Sequence, residues 1–316
     1  MIFNVVFLIL GFIFLIKGAD IFIDGASNIA KNFKLSKMLI GLTIVSIGTS
    51  APEFAISCKA ILAGNGSIVL GNVIGSNIIN ILLIIGISAI ICPIKVKSTT
   101  LKNELPLLVM ITSLLVILLK DNLFNENIQN VITRIDGIAI IIFMMVFVKY
   151  LLSIVKSKEK EQPNHTIIKS VFLTILGIIG ILIGSDIVVN NAVIIAESFN
   201  ISDRLISLTI IALGTSAPEL ASAISAALKN EHEILIGNII GSNIFNIGLV
   251  LGVPVALFKD IVPVGFSNID IIVLLASTLL LFLFGMNKKI SKKEGIIMLL
   301  LFVAYYTFII LKGVII

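Results

Sequence analysis

One hexapeptide occurs twice in this chain, letter for letter: Gly48-Thr49-Ser50-Ala51-Pro52-Glu53 and Gly214-Thr215-Ser216-Ala217-Pro218-Glu219. Each copy lies inside an apolar segment long enough to cross a bilayer. Proline in a helix interior removes a backbone donor and clashes with the carbonyl one turn back. A carboxylate at that depth costs roughly 2.5–3.5 kcal/mol on insertion scales. A chain that carries both costs at two matched places has a use for them. The expectation is that the two hexapeptides face each other at mid-membrane and hold a cation.

The chain is 58% hydrophobic and 13% charged, whereas soluble domains carry about 25% charged residues, so it reads as an integral membrane protein. Apolar runs of spanning length fall near 2–30, 38–62, 67–92, 104–119, 131–152, 168–197, 204–228, 234–257, 267–285 and 295–315. These predict an all-α membrane fold of ten helices, with breaks in helices 2, 3, 7 and 8. The N-terminus lacks a basic leader and a small-residue cleavage site, so the first run reads as a retained helix. Glu219 lies 166 residues after Glu53, and the same offset maps Gly71-Asn72 onto Gly237-Asn238 and Gly75-Ser76-Asn77-Ile78 onto Gly241-Ser242-Asn243-Ile244. It also maps Asn80 onto Asn246 and Asp20 onto Asp186. The expected organisation is therefore a repeat of five helices at 1–152, a polar linker at 153–168 and a second repeat at 169–316.

Lysine placement predicts the orientation. With ten spans, the clusters Lys31–Lys37, Lys95–Lys102, Lys149–Lys169 and Lys288–Lys293 fall on one side, which the positive-inside rule makes cytoplasmic. Both termini are then outside and the linker is inside. Five helices is an odd number, so the second repeat enters the membrane inverted, and inverted repeats place a binding site near the midplane. The net charge of +5 is accounted for by these topology signals, with anionic lipid contact secondary and no nucleic-acid partner. Cys58 and Cys92 read as packing residues. His165 and His232 read as solvated loop residues. Asp20, Asp24 and Asp186 read as helix-end or gate residues.

Helical spacing puts Ser46, Thr49, Ser50, Glu53 and Ser57 on one side of the second helix. Pro52 leaves the Gly48 carbonyl without its usual donor, so carbonyls in that turn are free to face an ion. Asn72, Ser76 and Asn80 form a stripe at i, i+4, i+8, repeated by Asn238, Ser242 and Asn246. Calcium takes six to eight oxygens. Glu53 and Glu219, each bidentate, with the carbonyls of Thr49 and Thr215, supply six, and the two carboxylates balance the divalent charge. Sodium accepts hydroxyls and carbonyls, so Ser50, Ser76, Ser216 and Ser242, with the carbonyls of Ser46 and Ala212, form candidate flanking seats. No thiolate or histidine lies at that depth, which argues against zinc or copper. The competing reading is structural: hydroxyls in membrane helices commonly bond back to their own helix, and asparagines join helices together.

The paired Gly-Thr-Ser-x-Pro-Glu and Gly-Asn-x-Ile-Gly-Ser-Asn motifs resemble those of the sodium/calcium exchangers within the calcium/cation antiporter group, in the archaeal and bacterial form without a regulatory domain. The resemblance covers essentially the whole chain. It implies two inverted repeats, a rigid eight-helix core, and two long tilted helices, the first and sixth, that slide to alternate access. It also implies that Asn80 and Asn246 complete the ring around the ions. Members of that family often carry Asp where Asn246 stands, so here the site holds at most two negative charges.

The resulting expectation is a transporter of the cell membrane, not an enzyme, that exchanges cytoplasmic calcium for sodium. Its partners are calcium, sodium and membrane lipid, with no obligate protein partner. A calcium/proton antiporter of the same fold is the alternative, with Glu53 and Glu219 protonated on the return step. A cation channel fits less well, because the carboxylates sit in one pair of helices and not in subunit rings. An intramembrane hydrolase using Ser50 or Ser216 lacks a base at their depth.

Overall fold

A computed structural model describes residues 2–120, 130–155, 162–198, 212–262 and 268–315. The first long helix, α1, is Ile2–Phe33, and a residue at positive φ, Lys34 (φ 54°), ends it. The expected second span is two helices, α2 (Lys37–Thr49) and α3 (Ala51–Leu62), bent by 49° at Ser50. Ser36 caps α2, accepting from Leu39 N–H at 3.1 Å. A long helix α4 (Gly66–Ile91), the two-residue strand β1 (Ile94–Lys95), α5 (Ser98–Leu118) and α6 (Arg134–Ser153) follow. A capping box of Thr133 and Asp136 starts α6.

The 32-residue helix α7 (Ile167–Ser198) comes after the polar linker. Then come α8 (Ala212–Thr215), α9 (Ala217–Leu228), α10 (His232–Leu257), α11 (Asn268–Gly285), the strand β2 (Lys289–Ile290) and α12 (Lys292–Ile315). Among the described residues, eight helices are long and apolar enough to span a membrane, or nine with the bent pair counted as one. The first residues of the expected seventh span, 204–211, and linker residues 156–161 lie outside the described residues.

Two expectations need correction. The anticipated breaks in the third and eighth spans are absent, because α4 and α10 run through. Each instead widens into a π-helical stretch, at Ile79–Ile85 and Asn246–Gly252. A π turn leaves a carbonyl free for an outside donor, and both stretches begin where asparagines from the two halves cross. His232 is not a loop residue: it opens α10, and its Nδ1 is buried without a hydrogen-bond partner.

Burial sorts the helices into layers. The most apolar window of α10 is 94% buried, and that of α12 only 17%, so α10 is central and α12 faces outward. The exposed faces carry large apolar side chains, such as Phe3, Phe7 and Phe14 on α1 and Phe172 and Ile175 on α7, as a lipid-facing surface requires. α1 and α7 pack along their length with their backbones almost in contact. A Cβ on Gly177 would run into the backbone of Phe22, and one on Gly18 would lie 2.7 Å from the Ile181 nitrogen. α2 crosses α10 through Gly41 and Gly237, whose Cβ positions would each lie 3.0 Å from the other's Cα. The pairing of β1 with β2, Ile94 opposite Ile290, ties two lysine-rich loops together and has no periodic signal in so short a run.

Candidate functional site

The site grows out of the two proline kinks. Pro52 and Pro218 each occupy the first turn of a helix, where a missing N–H costs nothing. The residue before each short helix, Ser50 and Ser216, has nearly the same backbone: φ −87°, ψ 7° and φ −88°, ψ 6°. Glu53 and Glu219 therefore leave matching turns on matching helices, and both are 1% exposed. The Ser50 hydroxyl donates to Glu219 Oε1 at 2.8 Å, and Ser50 is one turn from Glu53. One hydrogen bond thus brings the two repeated hexapeptides face to face.

The asparagine stripes meet in the same place. Asn80 Nδ2 donates to Asn243 Oδ1 at 2.9 Å, and Asn246 Nδ2 donates to Asn77 Oδ1 at 3.0 Å. Asn77 and Asn243 also donate to each other's backbone carbonyls, at 3.3 and 3.4 Å. These exchanges use the amide nitrogens and leave the Asn80 and Asn246 oxygens turned away from their holders. Asn72 donates to the Glu53 carbonyl at 3.2 Å and to Ser57 at 3.2 Å, and Asn238 donates to Ser222 at 3.1 Å. Thr49 Oγ1 bonds back to the Val45 carbonyl at 3.1 Å and reaches Asn238 Oδ1 at 3.4 Å.

The remaining expected site residues sit around this centre. Ser76 and Ser242 contact Asn72 and Asn238 at 3.5 Å. Ser46 bonds back to the Thr43 carbonyl at 3.3 Å and lies against Gly241 of α10. Thr215 ends α8 and Ala212 begins it; the side chain of Ala212 lies outside the described residues. Asn77 and Asn243 are the functional positions that reading the sequence underrates. They stand in the repeated motif, three residues before Asn80 and Asn246, and that spacing is the signal of a supporting role.

Of the ten buried side-chain oxygens without a hydrogen-bond partner among the described residues, six belong to these residues: both of Glu53, Oε2 of Glu219, Oδ1 of Asn80, Oδ1 of Asn246 and the Ser216 hydroxyl; the other four, on Ser88, Thr100, Glu104 and Thr112, are not expected site residues. A buried polar atom without a partner costs about 1–3 kcal/mol, and a charged one more. Six of them at the two kinks and the two asparagine stripes offer the all-oxygen donor set that suits a hard cation. Among the described residues no cluster of three or more His, Cys, Asp or Glu occurs, so an ion held here would need amides and hydroxyls beside the carboxylates.

The sodium/calcium exchanger protein family model matches residues 3–153 and 169–311. The chain belongs to that family. It is 39% identical to CaxA of Alkalimonas amylolytica, over 95% of this chain and 96% of that protein. It is 31% identical to the sodium/calcium exchanger MaX1 of Methanosarcina acetivorans, over 96% and 97%. A solved structure of the sodium-calcium exchanger NCX_Mj, soaked with 10 mM Na+ and no Ca2+, superposes with a TM-score of 0.83 at 36% identity, covering 98% of both chains. This member of the exchanger family is thus a multi-pass membrane protein of the cation antiporter class.

Proposed function

We propose that this chain is a secondary-active antiporter that moves calcium out of the cytoplasm in exchange for sodium, by alternating access. The observation that carries this reading is the set of six unpartnered buried oxygens on the two kinks and the two asparagines. Glu53 and Glu219 bind the divalent ion with the carbonyls of Thr49 and Thr215. Sodium takes the flanking hydroxyls and carbonyls of Ser46, Ser50, Ser76, Ala212, Ser216 and Ser242. Asn80 and Asn246 turn their oxygens toward both. The ions share ligands, so one leaves before the other is bound, and that competition couples the two fluxes. Each ion shifts the inward and outward states only through its differential affinity for them.

The two halves, 1–152 and 169–316, act as inverted repeats joined by the linker 153–168 on the cytoplasmic side, with both termini outside. The nearly identical dihedral angles at Ser50 and Ser216 support that symmetry. So do the left-handed residues that follow α3 and α9, Gly64 at φ 80° and Asn230 at φ 57°, which stand 166 positions apart. Helices α1 and α7, locked to each other through glycine, slide as a pair against the rest.

The experiment is calcium uptake into proteoliposomes loaded with sodium. Uptake follows the sodium gradient and stops when that gradient is collapsed. A second reading, calcium/proton exchange, is kept alive by the amides at Asn80 and Asn246, which leave the two glutamates as the site's only acids. Uptake that ignores sodium and follows an imposed pH gradient decides for it.

A further inference from the structure

Pro218 has no N–H, so the carbonyl of Gly214, four residues earlier, has no donor from its own helix. Gly214 is buried, and a buried carbonyl at membrane depth needs a partner. The structure supplies one from another helix: the Ser185 hydroxyl of α7 donates to the Gly214 carbonyl at 3.0 Å. Ser185 is itself 7% exposed. Other hydroxyls on α7 behave differently. Ser170, Thr174 and Ser198 bond back to carbonyls three or four residues before them, at 2.9, 2.8 and 2.6 Å, the usual habit of such residues in a membrane helix. Ser185 reaches across. Its helix also presses on this turn, because a Cβ on Gly214 would run into the Val189 side chain one turn farther along α7.

The first half lacks the device. Pro52 frees the Gly48 carbonyl in the same way, but the position matching Ser185, 166 residues earlier, is Ala19, which has nothing to donate. The repeat is therefore asymmetric at this contact.

We infer that Ser185 is a positioning residue of exchange: carried on a sliding helix, it holds the Gly214 carbonyl and so couples the placement of α7 to the shape of one half of the ion site. Thr215 and Ser216, the next two residues, are candidate ligands. When α7 moves relative to α8 and α9 the bond breaks, and the carbonyl is released toward the ions. The hydrogen bond belongs to one arrangement and not the other, so it sets their populations and thereby the apparent ion affinity. In the orientation proposed above, Gly214 lies on the outer side of Glu219, so the effect belongs to the outer face. This inference rests on the antiport reading.

The test uses the full chain in proteoliposomes of defined orientation, with sodium varied on one face at a time. Ser185→Ala is expected to retain exchange but to shift half-saturation by sodium three- to tenfold on the outer face and leave the opposite face unchanged. Ser185→Thr, which keeps the hydroxyl, restores the parent value. Equal shifts on both faces, no shift, or failure of the threonine variant to rescue overturns the inference. Hydrogen exchange of the amides at 213–217, measured without sodium, provides a second readout. It is expected to accelerate in Ser185→Ala, and an unchanged rate counts against the contact. Ser185→Cys, which keeps the size but weakens the donor, gives the same comparison should the alanine variant not insert. If the parent shows no sodium-driven exchange, the antiport reading fails, while the hydrogen-exchange comparison still decides whether Ser185 holds this turn.

Discussion

At the scale of single residues, charge decides. Glu53 has both carboxylate oxygens buried and unpartnered, and Glu219 has one held by Ser50 and one free. Either residue changed to Gln keeps its size and removes half of the charge that balances a divalent ion. Glu53→Gln and Glu219→Gln are each expected to abolish calcium transport while leaving the protein folded, checked by uptake beside a thermal melt. Full activity in either variant removes the proposed site. Asn246 offers the opposite test. Its Oδ1 is buried without a partner while Asn77 Oδ1 accepts from its Nδ2. Asn246→Asp replaces an amide that cannot titrate with a group that can. Exchange in that variant is expected to shift its pH dependence from that of the parent, because a third carboxyl joins the two of Glu53 and Glu219. A pH profile of initial uptake rates reads it out. The carboxylate pair is legible in the sequence because a charge in an apolar run stands out and here does so twice. Asn77 and Asn243 stay hidden because what defines each of them is a partner in the other half. Ser185 is harder still: Pro218 marks the Gly214 carbonyl as lacking its donor, but nothing in the sequence says which helix supplies one.

At the scale of elements, kinks and glycines carry the argument. The span lengths, the proline bend and the short loops follow from hydropathy and from proline chemistry, and all are readable before any coordinates. The π-helical stretches of α4 and α10 are not: the residues just before them, Asn77 and Asn243, bond to each other's backbone carbonyls, and such partners across the repeat carry no local sequence signal. Glycine lets α1 and α7 touch at Gly177, where the backbone of Phe22 occupies the space a side chain would need. Filling a packed contact of this kind costs about 1–3 kcal/mol. Gly177→Val is therefore expected to lower the melting temperature of the detergent-solubilised protein and to splay the pair. The change Leu300→Val on the outward face of α12, where the side chain is 64% exposed, is expected to leave the melt unchanged. Equal melts for the two variants, measured side by side, count against close packing of α1 on α7.

At the scale of the whole molecule, the proposed exchange requires α1 to move relative to the core, yet its second half is tied to that core by polar contacts. Ser225 donates to Asp20 Oδ1 at 2.7 Å, and Lys229 donates to the Asp20 carbonyl. Ser27 donates to Glu231 at 2.9 Å, and Glu231 pairs with Lys37 at 3.1 Å. Asp24 is held by His165 at 3.1 Å, beside the start of α7. The first two sets join α1 to α2, α9 and the loop before α10. The last joins α1 to the segment that leads into α7, the other helix proposed to slide. A rigid pair sliding against the core breaks the first two sets and keeps the last. Partly exposed ion pairs of this kind are worth at most about 1 kcal/mol each, weak enough for ion binding to break and re-form them. A disulfide is not weak. With Cys58 and Cys92, the two cysteines of the chain, first replaced by Ser, a double variant Asp20→Cys, Ser225→Cys puts thiols where the two side chains already meet. Oxidation is expected to stop exchange, reduction to restore it, and the matched pair Asp24→Cys, His165→Cys to leave exchange running when cross-linked. Continued calcium flux through the first cross-linked variant means that α1 does not slide past α9, and alternating access would then need another moving part.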